Sequence, residues 1–527
     1  MPERPREAAT WQRAVVSTAP CRGSLRVAVT LGVLAIASLA GAIAFVQDPL
    51  LLRYPDAYDY AQMGRQLAEG QGLTSLQVFP YVVGWLDAAG FDTTPPWPVL
   101  WRFPLPILAR AFAFQSFGAT DAAALAPALL FSVLTAPALF LLTNRIGGCL
   151  AGLLAAGLWI ASASQQQFAL TGLTEPGAAL IAVAIAGAAI FARDGGGSAR
   201  CLALGAALGA AFLQRTNLLA LAPAALLLVM GAPGLSSRAR AARLGATISA
   251  ALLVASPWLL RNALGFGDPL LNLTSDRGLL RLGLGSDPFY AYQVGDRATL
   301  LRESLALYPS GWTSGWVREN GLALLGRDFM WLLPCAAAVA WMDRRDTRGH
   351  LSVLAWSGLV LTALVFTPPY PNVLRFYWPY APLFLAAVSA SLLSVLARTP
   401  HPLAGATGSL AVLAGFILLA PRGATAPLLP IASAPPVTAW LTESTAPTTL
   451  IASDVSQVVA WQARRPSVRF RGNLGVMAQL DRAGTPIGAL HSVHPQAPFR
   501  SALVAPPLST LFLPVRDAPG TLFVRAR

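Results

Sequence analysis

Two aspartates three positions apart, Asp56 and Asp59, sit in the stretch Tyr54-Pro55-Asp56-Ala57-Tyr58-Asp59-Tyr60-Ala61. A carboxylate held near a water-side group can take its proton during an attack, so a pair of them here is a candidate base and partner. The spacing of Ala57, Tyr60, Ala61, Gly64, Leu67 and Ala68 predicts a short amphipathic helix lying flat at a membrane face, with Gly70 as its left-handed stop. The same residues fit a purely structural role, in which Asp56 is an N-cap and Asp59 the acid of an imperfect capping box. Farther along, Glu175, Arg215, Arg261 and Arg375 fall at the ends of apolar segments. Charges there are costly unless paired or facing water, which makes them functional candidates. For any single arginine, snorkelling to the interface is the ordinary account. Acids and arginines collected on one side supply both halves of a group transfer from a lipid phosphate: a carboxylate for the acceptor proton, and guanidinia for the anionic leaving group.

The elements that would hold these residues are membrane helices. Over 527 residues the chain is 55% hydrophobic and 12% charged, with a mean hydropathy of +0.55, too apolar for a set of soluble domains. A net charge of +14 would raise nucleic-acid binding in a soluble protein, but here most of the basic residues assigned inside sit in short loops between apolar runs, so membrane topology accounts for them and no nucleic-acid partner is expected. The basic side chains are all arginine, which carries no functional weight. Cys21, Cys149, Cys201 and Cys335 imply no disulfide framework.

Arg4, Arg6, Arg13, Arg22 and Arg26 precede an apolar run from Val27 to Val46, read as an uncleaved anchor. A polar segment over 47–120 follows, with a second amphipathic piece around Leu76 to Ala88 and the proline-broken Pro95-Pro96-Trp97-Pro98. Apolar runs then recur near 121–143, 147–164, 173–192, 199–213, 216–231, 243–260, 322–341, 351–367, 377–397 and 403–420. With the first, these make about eleven spans at roughly 20 residues each. With the N-terminus (1–26) inside, every inner loop carries arginine, from Arg145 through Arg193, Arg200, Arg238, Arg240, Arg243, Arg344, Arg345 and Arg348 to Arg398. The outer side then receives the loops 47–120 and 261–321 and the tail. The fold class expected is an α-helical polytopic membrane protein, its membrane domain spanning 27–420, with a small outer α/β domain over 421–527. In that tail the strands are placed at Thr449 to Ser453, Pro466 to Phe470, Ser501 to Ala505 and Thr521 to Arg525, with a helix from Ser456 to Arg464. His491-Ser492-Val493-His494 lacks a third metal ligand nearby and is read as a solvated loop, so no metal site is expected.

Several short motifs occur in a fixed order. They are Asp56-Ala57-Tyr58-Asp59-Tyr60-Ala61 with Leu67-Ala68-Glu69-Gly70-Gln71-Gly72-Leu73; Arg102-Phe103-Pro104-Leu105-Pro106; Gly172-Leu173-Thr174-Glu175-Pro176; Arg215-Thr216-Asn217; Ser256-Pro257-Trp258-Leu259-Leu260-Arg261-Asn262 with Phe266-Gly267-Asp268-Pro269; Arg375-Phe376-Tyr377-Trp378-Pro379; and Ala452-Ser453-Asp454 through Trp461 to Arg464-Arg465-Pro466. This order, over nearly the whole chain, resembles the GT-C membrane glycosyltransferases of the protein mannosyltransferase and aminoarabinose transferase type, family 39. The resemblance implies a GT-C-like fold and a sugar donor carried on polyprenyl phosphate, transferred with inversion to a lipid, glycan or protein acceptor at the periplasmic face of a bacterial inner membrane. It also implies that Asp56 is the catalytic base and that Glu175 is a second acidic position. Ala57 departs from the commoner acidic dipeptide after the aspartate, which leaves the role open between Asp56 and Asp59. Arg215, Arg261 and Arg375 are the expected phosphate ligands, membrane lipids the surroundings, and no cofactor is implied; a divalent metal stays open, with no residue set pointing to one. A lipid-linked sugar flippase would show charges at mid-depth and internal repeats, neither of which is evident; a noncatalytic relative with the same fold is the third reading.

Overall fold

Proline and threonine set where the first helices begin. The computed structural model describes residues 24–44, 50–195, 197–273, 347–366, 374–396, 441–443, 445–470, 474–492, 512–514 and 521–525, with positions 302, 305, 306 and 439. The anchor forms helix α1 (Ser24–Ala44), and the aspartate stretch forms α2 (Pro55–Ala68). Pro55 starts α2 because its fixed φ suits the first helical position. The N-cap residue is therefore Tyr54 and not Asp56, whose carboxylate is left free of capping. Gly70 closes the helix at φ +80°, as its position predicts. The short strands β1 (Thr74–Ser75) and β2 (Gln77–Val78) lead into α3 (Pro80–Ala88), then β3 (Trp97–Pro98) and α4 (Pro104–Phe117).

The bundle continues with α5 (Asp121–Gly147), α6 (Cys149–Ala161), α7 (Glu175–Gly195) and α8 (Ser198–Gln214). The hydroxyl of Thr120 caps α5 by accepting from the Ala123 amide at 3.2 Å. A 3-10 turn (Thr216–Leu221) leads into α9 (Ala222–Met230), followed by α10 (Ser237–Phe266), α11 (Thr347–Phe366) and α12 (Ala381–Leu396). Among the described residues six helices are long and apolar enough to cross a membrane, and three more are shorter apolar segments. The protein is a multi-pass membrane protein. The apolar runs at 322–341 and 403–420, most of the loop to Gly321, the arginines up to Arg22, the strand at Ser501 to Ala505 and His494 lie outside the described residues. Cys201 is a free buried thiol.

Small residues let α8 and α10 touch. A Cβ built at Gly205 would lie 2.2 Å from the Thr247 carbonyl oxygen, and one at Gly209 2.7 Å from that of Ala251. Glycines four apart are the usual means by which helix backbones approach in a bilayer, where packing replaces the hydrophobic effect. At one end of the bundle the expected inner arginines gather: Arg145 lies 3.8 Å from Asp194, Arg193 2.8 Å from the Nδ1 of His350, and Arg243 donates to the Ala192 carbonyl at 3.2 Å.

At the other end, α2 is not a surface helix. Every residue from Ala57 to Gln66 is buried, because a sheet covers the side away from the bundle. This sheet contains β4 (Leu450–Ser453), β5 (Ser467–Arg469), β6 (Ile487–Ser492), β7 (Phe512–Pro514) and β8 (Thr521–Arg525), with helix α13 (Leu474–Arg482). Its strand order is β2-β5-β4-β6-β8-β7, so the first loop supplies an edge strand to a sheet otherwise built from the tail. β2 runs parallel to β5, Gln77 opposite Ser467 and Val78 opposite Val468. Phe79, Tyr81 and Trp101 of the first loop share one apolar core with Val468, Phe470 and Leu490.

His491 belongs to β6 and is buried, which corrects the solvated-loop reading. Its Nδ1 meets the Ser453 hydroxyl at 3.0 Å, and burial pushes the ring's pKa down to about 4. Almost all of β6 is buried, so it lacks the alternation that marks a half-exposed strand.

Arg65 and Trp461 hold the tail onto the membrane domain. The Arg65 guanidinium donates to the carbonyls of Trp461 at 2.7 Å and Ala460 at 2.8 Å and lies over the Trp461 ring. The indole in turn donates to Asp121 at 2.7 Å, at the head of α5, and stacks on Phe114.

Candidate active site

Five separate parts of the chain bring ionisable groups to the end of the bundle beneath the sheet. α2 supplies Asp56 and Asp59 from one face, and the residues just before α4 supply Trp101 and Arg102. The head of α7 supplies Glu175, and the break after α8 supplies Arg215. The 3-10 turn Leu374–Phe376 supplies Arg375.

Asp59 is fully buried and anchors the group. Its Oδ2 accepts from Arg102 Nε at 2.7 Å and from the Trp101 indole at 3.2 Å, and its Oδ1 from Gln62 at 3.4 Å. Gln62 also donates to the Ser75 hydroxyl at 2.6 Å and accepts from the Leu76 amide at 2.9 Å, tying α2 to the start of β2. Arg102 then reaches Asp56 Oδ1 at 2.6 Å and lies over the Tyr60 ring. The second oxygen of Asp56 is taken by Arg375 Nη2 in a short ion pair. Arg375 Nε lies 3.6 Å from Glu175 Oε1, which accepts from Arg215 at 2.7 Å. Three carboxylates and three guanidinia thus alternate in the order Asp59, Arg102, Asp56, Arg375, Glu175, Arg215.

Local backbone and packing set Glu175 in place. Gly172 has φ +67°, and a Cβ there would press on Leu125, Leu52 and Ala57 at 3.0 to 3.3 Å, so only glycine lets this turn close onto α2. The Gly172 carbonyl accepts from Arg110, and the Thr174 carbonyl from Gln214 at 2.9 Å. Glu175 is 1% exposed, and its Oε2 accepts from no described side chain. The Phe376 ring lies under the Arg215 guanidinium, and the Asn217 amide holds the Phe376 carbonyl at 2.9 Å, which fixes the turn carrying Arg375.

The environments divide the two aspartates. Burial pushes the Asp59 carboxyl above the usual carboxylate range, and the Arg102 charge offsets that only in part. Burial acts on Asp56 in the same direction, but Arg102 and Arg375 together overcome it and hold its carboxyl well below that range. Burial also works against both guanidinia, and their carboxylates more than offset it, so both stay charged. The Asp56 side chain is 23% exposed and that of Arg375 30%, against 0% for Asp59. Asp56 is therefore the carboxylate that an incoming molecule can reach.

Of the residues singled out in the sequence, Asp56, Asp59, Glu175, Arg215 and Arg375 come together. Arg261 does not. It donates to the Val99 carbonyl at 3.0 Å and packs against the Trp258 and Phe266 rings, beside the group and not in it. Arg102 binds both aspartates, a site role that the sequence motif containing it did not give it. The signal for it was its place in the motif Arg102-Phe103-Pro104-Leu105-Pro106, next to Trp101 in the first loop. Among the described residues, no three His, Cys, Asp or Glu side chains gather as a metal's ligands would.

Solved structures share this architecture. The oligosaccharyltransferase of Archaeoglobus fulgidus, crystallised with zinc and sulfate, superposes with a TM-score of 0.55 at 14% identity, over 94% of this chain and 72% of that one. The same enzyme tethered to an acceptor peptide with the NVT sequon gives 0.53 at 12% identity, over 96% and 74%. ArnT of Cupriavidus metallidurans bound to undecaprenyl phosphate gives 0.47 at 13% identity, over 96% and 99%. No protein-family model matches the sequence, and no curated protein matches it. The chain has the GT-C membrane glycosyltransferase fold, with a small α/β region at its C-terminal end.

Proposed function

We propose that the protein is a glycosyltransferase that moves a sugar from a polyprenyl-phosphate donor to an acceptor at the periplasmic face of a bacterial inner membrane, with inversion. The observation that carries this reading is Asp56, the reachable carboxylate of an alternating charge network, with Arg375 beside it as the most exposed guanidinium of the set. The order of motifs described above implies the polyprenyl-phosphate donor, and the shared fold is compatible with it. The arginines at the opposite end of the bundle support placing that end inside.

In this reaction the acceptor oxygen or nitrogen attacks the anomeric carbon while its proton passes to Asp56. The bond from that carbon to the phosphate oxygen breaks, and the electron pair leaves with the phosphate. General-base help of this kind is worth roughly 10² to 10⁴ in rate. A phosphate leaving group needs little protonation but does need its new charge stabilised, the role of Arg375 with Arg215 behind it. Asp59 acts at one remove, holding Arg102 and so the orientation of Asp56.

The test is Asp56→Asn in cells lacking the native gene, with lipid-linked sugars and envelope glycans compared across null, wild-type and variant strains. The null strain is expected to lose one sugar modification, and the variant to resemble it at normal membrane levels. Full restoration by Asp56→Asn refutes the assignment of the base.

A further inference from the structure

Asp56 has both oxygens held, Oδ1 by Arg102 and Oδ2 by Arg375. A carboxylate forked by two guanidinia is a poor proton acceptor, so one partner must let go before Asp56 can act as a base. The partners are not equally free. Arg102 is fixed by its Nε bond to the fully buried Asp59 and by the Tyr60 ring beneath it, and moving it would strand Asp59. Arg215 is pinned between Glu175 and the Phe376 ring. Arg375 is the most exposed of the three, and its next carboxylate is 3.6 Å away. The network is also balanced, three negative groups against three positive, so an arriving anion finds no spare cation in it. It must compete with a carboxylate.

We propose that Arg375 is shared between Asp56 and the donor phosphate: in the empty site it is held by Asp56, and when the phosphate arrives it moves to the phosphate oxygens, freeing Asp56 Oδ2 to accept the acceptor's proton. This rests on the donor being a phosphate, as proposed above. The chemistry balances within one step. The acceptor O–H gives its proton to Oδ2 as its oxygen bonds to the anomeric carbon, and the carbon–oxygen bond to phosphate breaks with its electron pair on the phosphate, beside Arg375. The groups facing Asp56 are Arg102 before α4, Arg375 on its turn, and Asp59 and Tyr60 on its own helix; Glu175 of α7 and Arg215 after α8 act through Arg375. Of these only Arg375 changes partner. The arrangement orders the reaction: the base is restrained until the donor is seated, so an acceptor alone is not deprotonated.

The experiment measures binding of farnesyl phosphate, a prenyl phosphate without sugar, to the full chain in nanodiscs, with no acceptor present. If Asp56 competes for Arg375, Asp56→Asn binds the probe about tenfold or more tightly than wild type. That gain disappears in an Arg375→Ala background, where there is nothing left to compete for. Arg375→Gln serves as a second background that keeps side-chain length and hydrogen-bond donors without the charge. Unchanged or weaker binding by Asp56→Asn overturns the proposal. So does an equal gain in both Arg375 backgrounds, which would reflect simple repulsion between Asp56 and phosphate. If wild type and Asp56→Asn both fail to bind the probe, the donor reading itself falls, a result distinct from either of these.

Discussion

The contact between Arg65 and the Trp461 turn gives the most direct measure of how the tail is held. Arg65 is 3% exposed and its guanidinium satisfies the carbonyls of Ala460 and Trp461 while stacking on the indole. Arg65→Ala strands two buried carbonyls, each at about 1 to 3 kcal/mol, and loses a stacking contact of about 1 kcal/mol. Against this, burying the guanidinium is itself unfavourable, which is why burial pushes its pKa down to about 10, and the variant is relieved of that cost. The net loss expected is about 2 to 4 kcal/mol of docking free energy. That raises the undocked population about 30- to 1,000-fold, and cleavage of a transiently open segment follows that population. Limited proteolysis in detergent should therefore cut the tail of Arg65→Ala that much faster, while cuts in the membrane helices keep their rate. Arg65→Lys should fall between, since one ammonium cannot fork across two carbonyls or stack as a plane. Cleavage of Arg65→Ala within about threefold of wild type would refute the reasoning.

Arg261 and Arg215 should part company: Arg215→Lys lowers turnover because an ammonium cannot both pair with Glu175 and lie as a plane on the Phe376 ring, whereas Arg261→Lys, away from the carboxylates, keeps turnover within about twofold in the same assay. Gly205→Ala should lower the unfolding temperature by forcing α8 off the Thr247 carbonyl, at about 1 to 3 kcal/mol, checked by thermal denaturation in detergent. His491 gives a pH dependence of known sign. Its folded pKa of about 4 lies below the usual 6.5, so between those values the unfolded state binds more protons, and the sheet loses up to about 3 kcal/mol as pH falls through that window, with no contribution above it. Tail proteolysis at pH 7.5 and 4.5 should show this, and His491→Gln should flatten it. A reporter active only in the periplasm, fused after Thr425, should be active; an inactive fusion refutes the orientation.

Periodicity and charge made the membrane helices and the carboxylate stretch legible, because span length and arginine bias act locally. Three features escaped for physical reasons. Pro55 sets the start of α2 and makes Tyr54 the N-cap, so Asp56 falls inside the first turn and faces the site, a shift of two residues from the capping pattern. Arg102 lies in no periodic element, and its importance comes from two partners on a helix more than forty residues earlier. The strand β2 is two residues long, below what alternation can reveal, and its pairing with β5 is set by a shared core, not by its own residues. Arg261 shows the reverse case: a charge at a span end was legible, but aromatic rings at Trp258 and Phe266 decide where it points.

That β2 pairs with β5 has a consequence for how the protein is made. A ribosome delivers Gln77 and Val78 long before Ser467 to Arg469, so the first loop waits with its edge unpartnered while the helices between them insert. The covering of α2, and with it the burial of Asp59, is completed only when the tail has crossed to the same side. A chain whose later helices insert with the wrong parity leaves β2 an open edge, a surface that other strands can pair with in place of β5.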